Sequence, residues 1–170
     1  MYIFSNISYV NSGDDHCLSF IVQGEPAVQQ RPKISYRNRS RPVYYDPSSQ
    51  LKKKWKNQFK EYLSENMVVT PVFGSDPLVD KGIILLIEFF IKPPAVDYEK
   101  KKGIKMRKDT FHLYPSTKDL DNMIKFCMDA MQDVAYMNDN VICKLECFKS
   151  FINESSLYTE PFTLITLKKN

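Results

Sequence analysis

The order of elements legible in the chain predicts an α/β (α+β) fold of one domain, a small mixed β-sheet packed by helices. Three observations carry that expectation. Gly82 to Ile91 is a run of β-branched and aromatic residues broken only by Glu88, as expected of a central strand. Two stretches with apolar residues at helical spacing flank it, one after Asp46 and one from Asp119. The 170 residues, 43% hydrophobic and 26% charged, suit one domain with a sizeable core, and neither a repeat nor a second domain is visible.

Residues 1–16 are polar and read as an N-terminal arm or an extra edge segment, with the domain proper at 17–170. Cys17 to Val22 predicts a strand, which Gly24-Glu25-Pro26 ends. Ala27 to Tyr45 is basic and tyrosine-rich. Pro32 and Pro42 oppose a helix there, so two short strands or an ordered loop are expected. Asp46-Pro47-Ser48-Ser49 supplies cap chemistry for a helix whose stripe is Leu51, Trp55, Phe59, Tyr62 and Leu63. Val68 to Pro77 is a connector. The strand at 82–91 is expected to be buried on both faces and is stopped by Lys92-Pro93-Pro94. Ala95 to Leu113 predicts a long basic loop. The second helix carries Leu120, Met123, Ile124, Cys127, Met128 and Met131 on one face and Asp121, Lys125 and Asp129 on another. Asn138-Asp139-Asn140 is turn chemistry, after which Val141 to Phe148 and Phe162 to Leu167 read as strands.

Composition excludes several functions. Two histidines speak against a His-rich metal centre, and no glycine-rich phosphate-binding fingerprint is present. The N-terminus lacks the basic flank and apolar run of a signal peptide, and no apolar run approaches the ~20 residues of a membrane span. The four cysteines (Cys17, Cys127, Cys143, Cys147) lack C-x-x-C spacing and read as buried free thiols in a reducing, intracellular compartment.

The net charge of +4 conceals an uneven distribution. Residues 31–60 hold ten cations (Arg31, Lys33, Arg37, Arg39, Arg41, Lys52, Lys53, Lys54, Lys56, Lys60) against Asp46 alone, a local +9. Lys100 to Lys108 adds six cations and no acid. Asp119, Asp121, Asp129, Asp133 and Asp139 crowd into one short stretch. A basic surface beside an acidic focus suits a polyanion handled near a metal, although charge runs are also ordinary solvated surface.

Ser116 to Lys125 concentrates the chemistry. Asp119 and Asp121 bracket a helix start, where free N–H groups and the helix dipole stabilise negative charge. Lys125 lies one turn on from Asp121. If the strand after Asp139 runs beside the helix N-terminus, three carboxylates and an ammonium converge. Three close carboxylates repel, and a divalent cation with oxygen ligands, Mg²⁺ or Mn²⁺, removes that cost. Such a site activates water and stabilises a phosphodiester displacement, with Lys125 offsetting developing charge. Each residue also has a plain structural role open to it: Asp119 as N-cap, Asp121–Lys125 as a surface ion pair, Asp139 as a turn residue.

The segment Asp119-Leu120-Asp121-Asn122-Met123-Ile124-Lys125-Phe126-Cys127-Met128-Asp129-Ala130-Met131, followed by Val134-Ala135-Tyr136-Met137-Asn138-Asp139, resembles the signature of RusA-type Holliday junction resolvases. Phe20 to Pro26, Gln30-Arg31-Pro32-Lys33 and Val43 to Pro47 resemble that family's earlier pieces, and Lys149 its terminal strand lysine. The pieces occur in family order from about Leu18 to Lys149. The resemblance implies a homodimer and an Mg²⁺-dependent endonuclease acting on four-way DNA junctions in recombination and repair, without a small-molecule cofactor or a membrane. Asp119, Asp121 and Asp139 fall on its catalytic, metal-binding aspartates, and Lys125 on its essential lysine.

The chain departs from the family pattern at Asn138, where an Asp is usual, and at Asp133, where a Gly is common. Residues 1–16 and part of 95–113 look additional, and Thr117-Lys118 stands where some members carry an aromatic pair. Arg31, Lys33, Arg37, Arg39, Arg41, Lys52, Lys53, Lys56 and Lys149 are the expected phosphate contacts. Tyr36, Tyr44 and Tyr45 either stack on exposed bases or pack in the fold. The alternatives are a non-catalytic basic binder of DNA junctions and a nuclease for flaps or forks.

Overall fold

The computed structural model describes residues 3–12, 15–36, 41–65, 73, 82–101, 104–108, 115–152 and 159–170. Its frame is a five-stranded mixed sheet of β1 (Ile3–Ser12), β2 (Asp15–Gln23), β5 (Ile83–Ile91), β8 (Ile142–Phe151) and β9 (Phe162–Lys169), in the order β1-β2-β9-β5-β8. All neighbours are antiparallel except β5 and β8, which are parallel. The chain passes between those two through α2 (Leu120–Met131), because parallel neighbours need a long crossover.

Two short hairpins stand apart from this sheet, β3 (Lys33–Ser35) with β4 (Val43–Tyr45) and β6 (Tyr98–Lys101) with β7 (Ile104–Arg107). The second replaces the long loop expected at 95–113, and Lys108 N–H closes it by donating to Asp97 O at 2.8 Å. The predicted connector at 68–77 lies outside the described residues except for Phe73. Within 1–16, Ile3–Ser12 forms the edge strand β1, and Asp15 and His16 begin β2.

Both helices pack on one face of the sheet. From α1 (Ser49–Glu65), Trp55, Phe59 and Leu63 are buried, and from α2, Met123, Phe126, Cys127, Ala130 and Met131. Phe59 meets Phe20 of β2 at 4.4 Å, and Trp55 meets Phe126 edge-on at 5.2 Å. Alternate residues of β5 (Ile83, Leu85, Ile87, Phe89, Ile91) complete this core, and their neighbours are only half-buried. The expectation of a strand buried on both faces is therefore corrected. Among the described residues no helix covers the second face, where Phe90 stacks on Phe162 at 4.3 Å.

The cysteines also differ from expectation. All four are free, yet only Cys127 is buried; Cys17 and Cys147 are half-buried and Cys143 is exposed. Cys143 sits at a bulge where β8 shifts register against β5, and its thiol donates to Ile83 O. No described helix is long and apolar enough to cross a membrane.

Candidate active site and nucleic-acid interface

The N-terminal turn of α2 is exposed. Asp119 occupies the N-cap position with extended backbone (φ −69°, ψ 127°), but its carboxylate makes no capping hydrogen bond. Among the described residues it accepts one long contact, 3.4 Å, from the Asn122 side-chain amide. Among the described residues, neither Asp121 nor Lys125 enters an ion pair, although they lie one turn apart. The capping and ion-pair roles open to these residues in the sequence are thus not taken up, and their charged groups face solvent at a helix start that favours anions.

The backbone entering this turn is held from both sides. Lys118 Nζ donates to Glu25 Oε2 at 3.0 Å and to Pro26 O at 2.8 Å. Lys149 Nζ donates to Lys118 O. The loop after β2 and the far end of β8 therefore anchor the residue next to Asp119. Sequence reasoning passed over Lys118, since a solitary lysine before an aspartate carries no signal of its long-range partners.

The β3–β4 hairpin is rooted beside the same turn. Gln29 N–H donates to Asn122 O at 2.9 Å, and Gln30 N–H to Ser48 Oγ at 2.8 Å. Tyr36 and Tyr44 are each 69% exposed and Tyr45 47%, so their rings are not packed in the core. Arg31, Lys33 and Arg41 are exposed on or next to the hairpin. Arg37 and Arg39 lie outside the described residues. A root with fixed hydrogen bonds and a hairpin whose described residues include exposed rings and cations can lie along a phosphodiester backbone.

The predicted phosphate contacts divide. Lys53 is exposed. Lys52 is already engaged, with Nζ 2.6 Å from Asp46 and 2.8 Å from Asp129 and its side chain 17% exposed. Lys56 pairs with Asp133 at 3.0 Å. These two lysines tie α1 to α2 and its C-terminal turn. Burial pushes the Asp46 carboxyl up, but hydrogen bonds from Lys52, Ser48 and Gln29 outweigh it and hold the group below its ordinary range. Burial likewise pushes the Lys52 amine down, and bonds to Asp129 and Asp46 reverse that and raise it.

Asp139 does not join Asp119 and Asp121. It opens a 3₁₀ turn at the start of β8, whereas Lys149, which holds the residue before Asp119, lies near its end. Ile142 to Lys149 covers roughly 23 Å at about 3.3 Å per residue. Among the described residues, no group of three or more His, Cys, Asp or Glu side chains is arranged to hold a metal ion. The expected convergence within one chain is corrected, and the reason is directional. The chain reverses after α2, so β8 runs back along the helix and its start meets the helix end. Asp119 and Asp121 alone form an oxygen donor pair suited to a hard cation, which commonly takes one or two carboxylates.

Two departures from the family pattern acquire a physical account. Asp133, where a Gly is common, has φ +63°, the left-handed region that favours glycine and that Asp tolerates better than most residues. Asn138 accepts a hydrogen bond from Asn140 N–H at 3.2 Å, a role open equally to Asp, and leaves the Asp139 carboxylate out of the cap.

The chain is a small mixed-sheet domain that offers an open carboxylate pair beside a basic, tyrosine-bearing hairpin. The profile of the family endodeoxyribonuclease RusA matches residues 23–160. The chain is also 30% identical over 140 residues to the uncharacterized protein YqaN of Bacillus subtilis (strain 168), covering 81% of this chain and 90% of that protein. It belongs to the RusA family of endodeoxyribonucleases.

Proposed function

We propose that this protein is an intracellular, divalent-metal-dependent nuclease that resolves four-way DNA junctions by paired phosphodiester hydrolysis. The observation that carries the reading is the uncommitted pair Asp119 and Asp121 beside the β3–β4 hairpin, in a chain of this family. Asp119 and Asp121 hold Mg²⁺, or Mn²⁺ in its place. When bound, the ion supplies Lewis acidity toward the phosphate and makes the attacking water more acidic. Lys125, on the same helix face as Asp121, offsets negative charge that builds on the phosphate. Arg31, Lys33, Arg37, Arg39, Arg41 and Lys53 grip backbone phosphates, and Tyr36, Tyr44 and Tyr45 stack on bases opened at the crossover.

Asp139 enters the ligand set through the family motif. Inside one chain it lies at the other end of β8 from Asp119, so its participation calls for a homodimer in which Asp139 of the partner subunit reaches that end. Two such sites in a two-fold dimer match the pseudo-two-fold junction and account for paired nicks.

The test is cleavage of a synthetic four-way junction with Mg²⁺ or Mn²⁺. Asp121→Asn is expected to abolish cutting while binding in Ca²⁺ persists. A wild-type protein that binds the junction and cuts it with neither metal would sink the proposal. Faster cutting of flaps or forks than of junctions would move the substrate to those structures.

A further inference from the structure

Asp119 is exposed, and among the described residues its carboxylate is met only by the long contact from Asn122. Its direction is therefore set by the backbone from which it departs. The Lys118 carbonyl and the Asp119 N–H belong to one planar peptide unit, so a bond to that oxygen orients the plane that carries Asp119. Lys149 Nζ makes that bond. The first helical bond of α2 runs from Met123 N–H to Asp119 O, which leaves the Lys118 carbonyl outside the helix ladder and open to a partner.

Lys149 reaches this oxygen from a firm support. It stands opposite Phe89 of β5, whose side chain is fully buried. Three residues on, Ile152 N–H donates to Ile91 O at 3.0 Å and fixes the end of the strand. Lys149 is half-buried, so its ammonium is committed to a carbonyl rather than turned outward as a phosphate contact is. Lys118 completes the clamp with its own ammonium on Glu25 and Pro26 O. Residue 118 is thus held at its backbone from β8 and at its side chain from the loop after β2.

We propose that Lys149 is a positioning residue for the carboxylates that hold the metal, with Lys118 as its counterpart, and not a contact to DNA phosphate. The proposal rests on the reading of Asp119 and Asp121 as the metal-holding pair. Removing a group that orients a metal ligand from behind typically costs about 10–100-fold in affinity. A lysine placed there for its charge alone would act in the opposite sense. An ammonium beside the site repels a divalent ion, so its removal would tighten binding.

The experiment measures Mn²⁺ bound by the free, full-length protein, by electron paramagnetic resonance, and the Mn²⁺ dependence of junction cutting. Wild type is compared with Lys149→Met and Lys118→Met, each checked for fold by circular dichroism. Methionine keeps an unbranched apolar stem and removes the ammonium. Both variants are expected to bind Mn²⁺ about tenfold more weakly or worse, and cutting is expected to recover as the metal is raised. Junction binding by Lys149→Met in EDTA is expected to keep the salt slope of wild type, whereas a lost phosphate contact lowers that slope by about 0.9.

Mn²⁺ affinity equal to or tighter than wild type in either folded variant overturns the assignment. So does a salt slope for Lys149→Met that falls by a full phosphate contact. If Lys149→Met does not fold, Lys118→Met decides on the same Mn²⁺ readings, because both lysines act on residue 118. A wild type that binds no Mn²⁺ and cuts with no metal sinks the nuclease reading and this assignment with it. A wild type that binds Mn²⁺ and cuts, beside variants that match it, sinks the assignment alone.

Discussion

At the scale of single residues, the positions that break the family pattern are those where backbone geometry, rather than chemistry, sets the requirement. Asp133 occupies a left-handed conformation, and its N–H donates to Tyr136 O at 2.7 Å to close the turn after α2. A glycine meets that demand without strain, and the aspartate adds a pair with Lys56 that is largely exposed and worth little. Asp133→Gly should therefore leave stability nearly unchanged. Asp133→Ala, which keeps a Cβ and loses the polar side chain, should cost about 1–2 kcal/mol in chemical denaturation. Asn138 is the complementary case. Its acceptor oxygen is what the 3₁₀ turn uses, so Asn138→Asp should keep junction-cleavage rate and thermal midpoint close to wild type. A large gain in rate would show instead that an Asp carboxylate at 138 does more than accept that bond.

At the scale of elements, the α1–α2 contact sets how the carboxylate turn is carried. Its polar centre is Lys52 between Asp46 and Asp129, three side chains that are at most 35% exposed. Removing the cation leaves two partly buried carboxylates without their partner, so Lys52→Met should lose about 1–3 kcal/mol at neutral pH. The pH dependence has a defined sign on each side. Asp46 is held below its ordinary 3.8, so its contribution is present above that pH and fades as pH falls through the lowered value. Lys52 is held above its ordinary 10.5, so its contribution is complete below that pH and fades as pH rises through the raised value. Denaturation midpoints of wild type should fall on both limbs, and those of Lys52→Met should be flatter on both. Equal acid limbs in the two proteins would show that the triad is not what holds Asp46.

At the scale of the whole molecule, the small net charge of +4 separates into a basic hairpin and helix against an acidic α2 region. Part of the basic excess is consumed internally by Lys52 and Lys56, which leaves Arg31, Lys33 and Arg41, with Lys53, Lys54 and Lys60 of α1, facing outward among the described residues. Junction binding should weaken with salt as counterions return to the phosphates. Each of Arg31, Lys33 and Arg41, replaced by Gln, should reduce the slope of log K against log salt by about 0.9. Lys52→Gln should change the slope much less, because that ammonium is already paired. An equal loss of slope for Lys52 and Arg41, measured by fluorescence anisotropy over a salt series, would contradict this division.

Patterns along the chain were enough to read the helices, the strand at 82–91, the aspartate motif and the family. Helical stripes, strand alternation and cap residues are local, and they act over spans of a few residues that a sequence displays directly. Tertiary structure alone decided which charges are spoken for. Lys52 and Lys56 read like their neighbours until α2 and the turn after it supply Asp129 and Asp133 from 77 residues away. It also decided that, among the described residues, the helices cover one face of the sheet and that Asp119, Asp121 and Asp139 form no three-carboxylate group. Eighteen residues separate Asp139 from Asp121, close in sequence, yet the reversal of the chain between α2 and β8 carries them to opposite ends of one strand. Spacing along a chain measures length, and the direction in which that length is laid down depends on contacts made elsewhere.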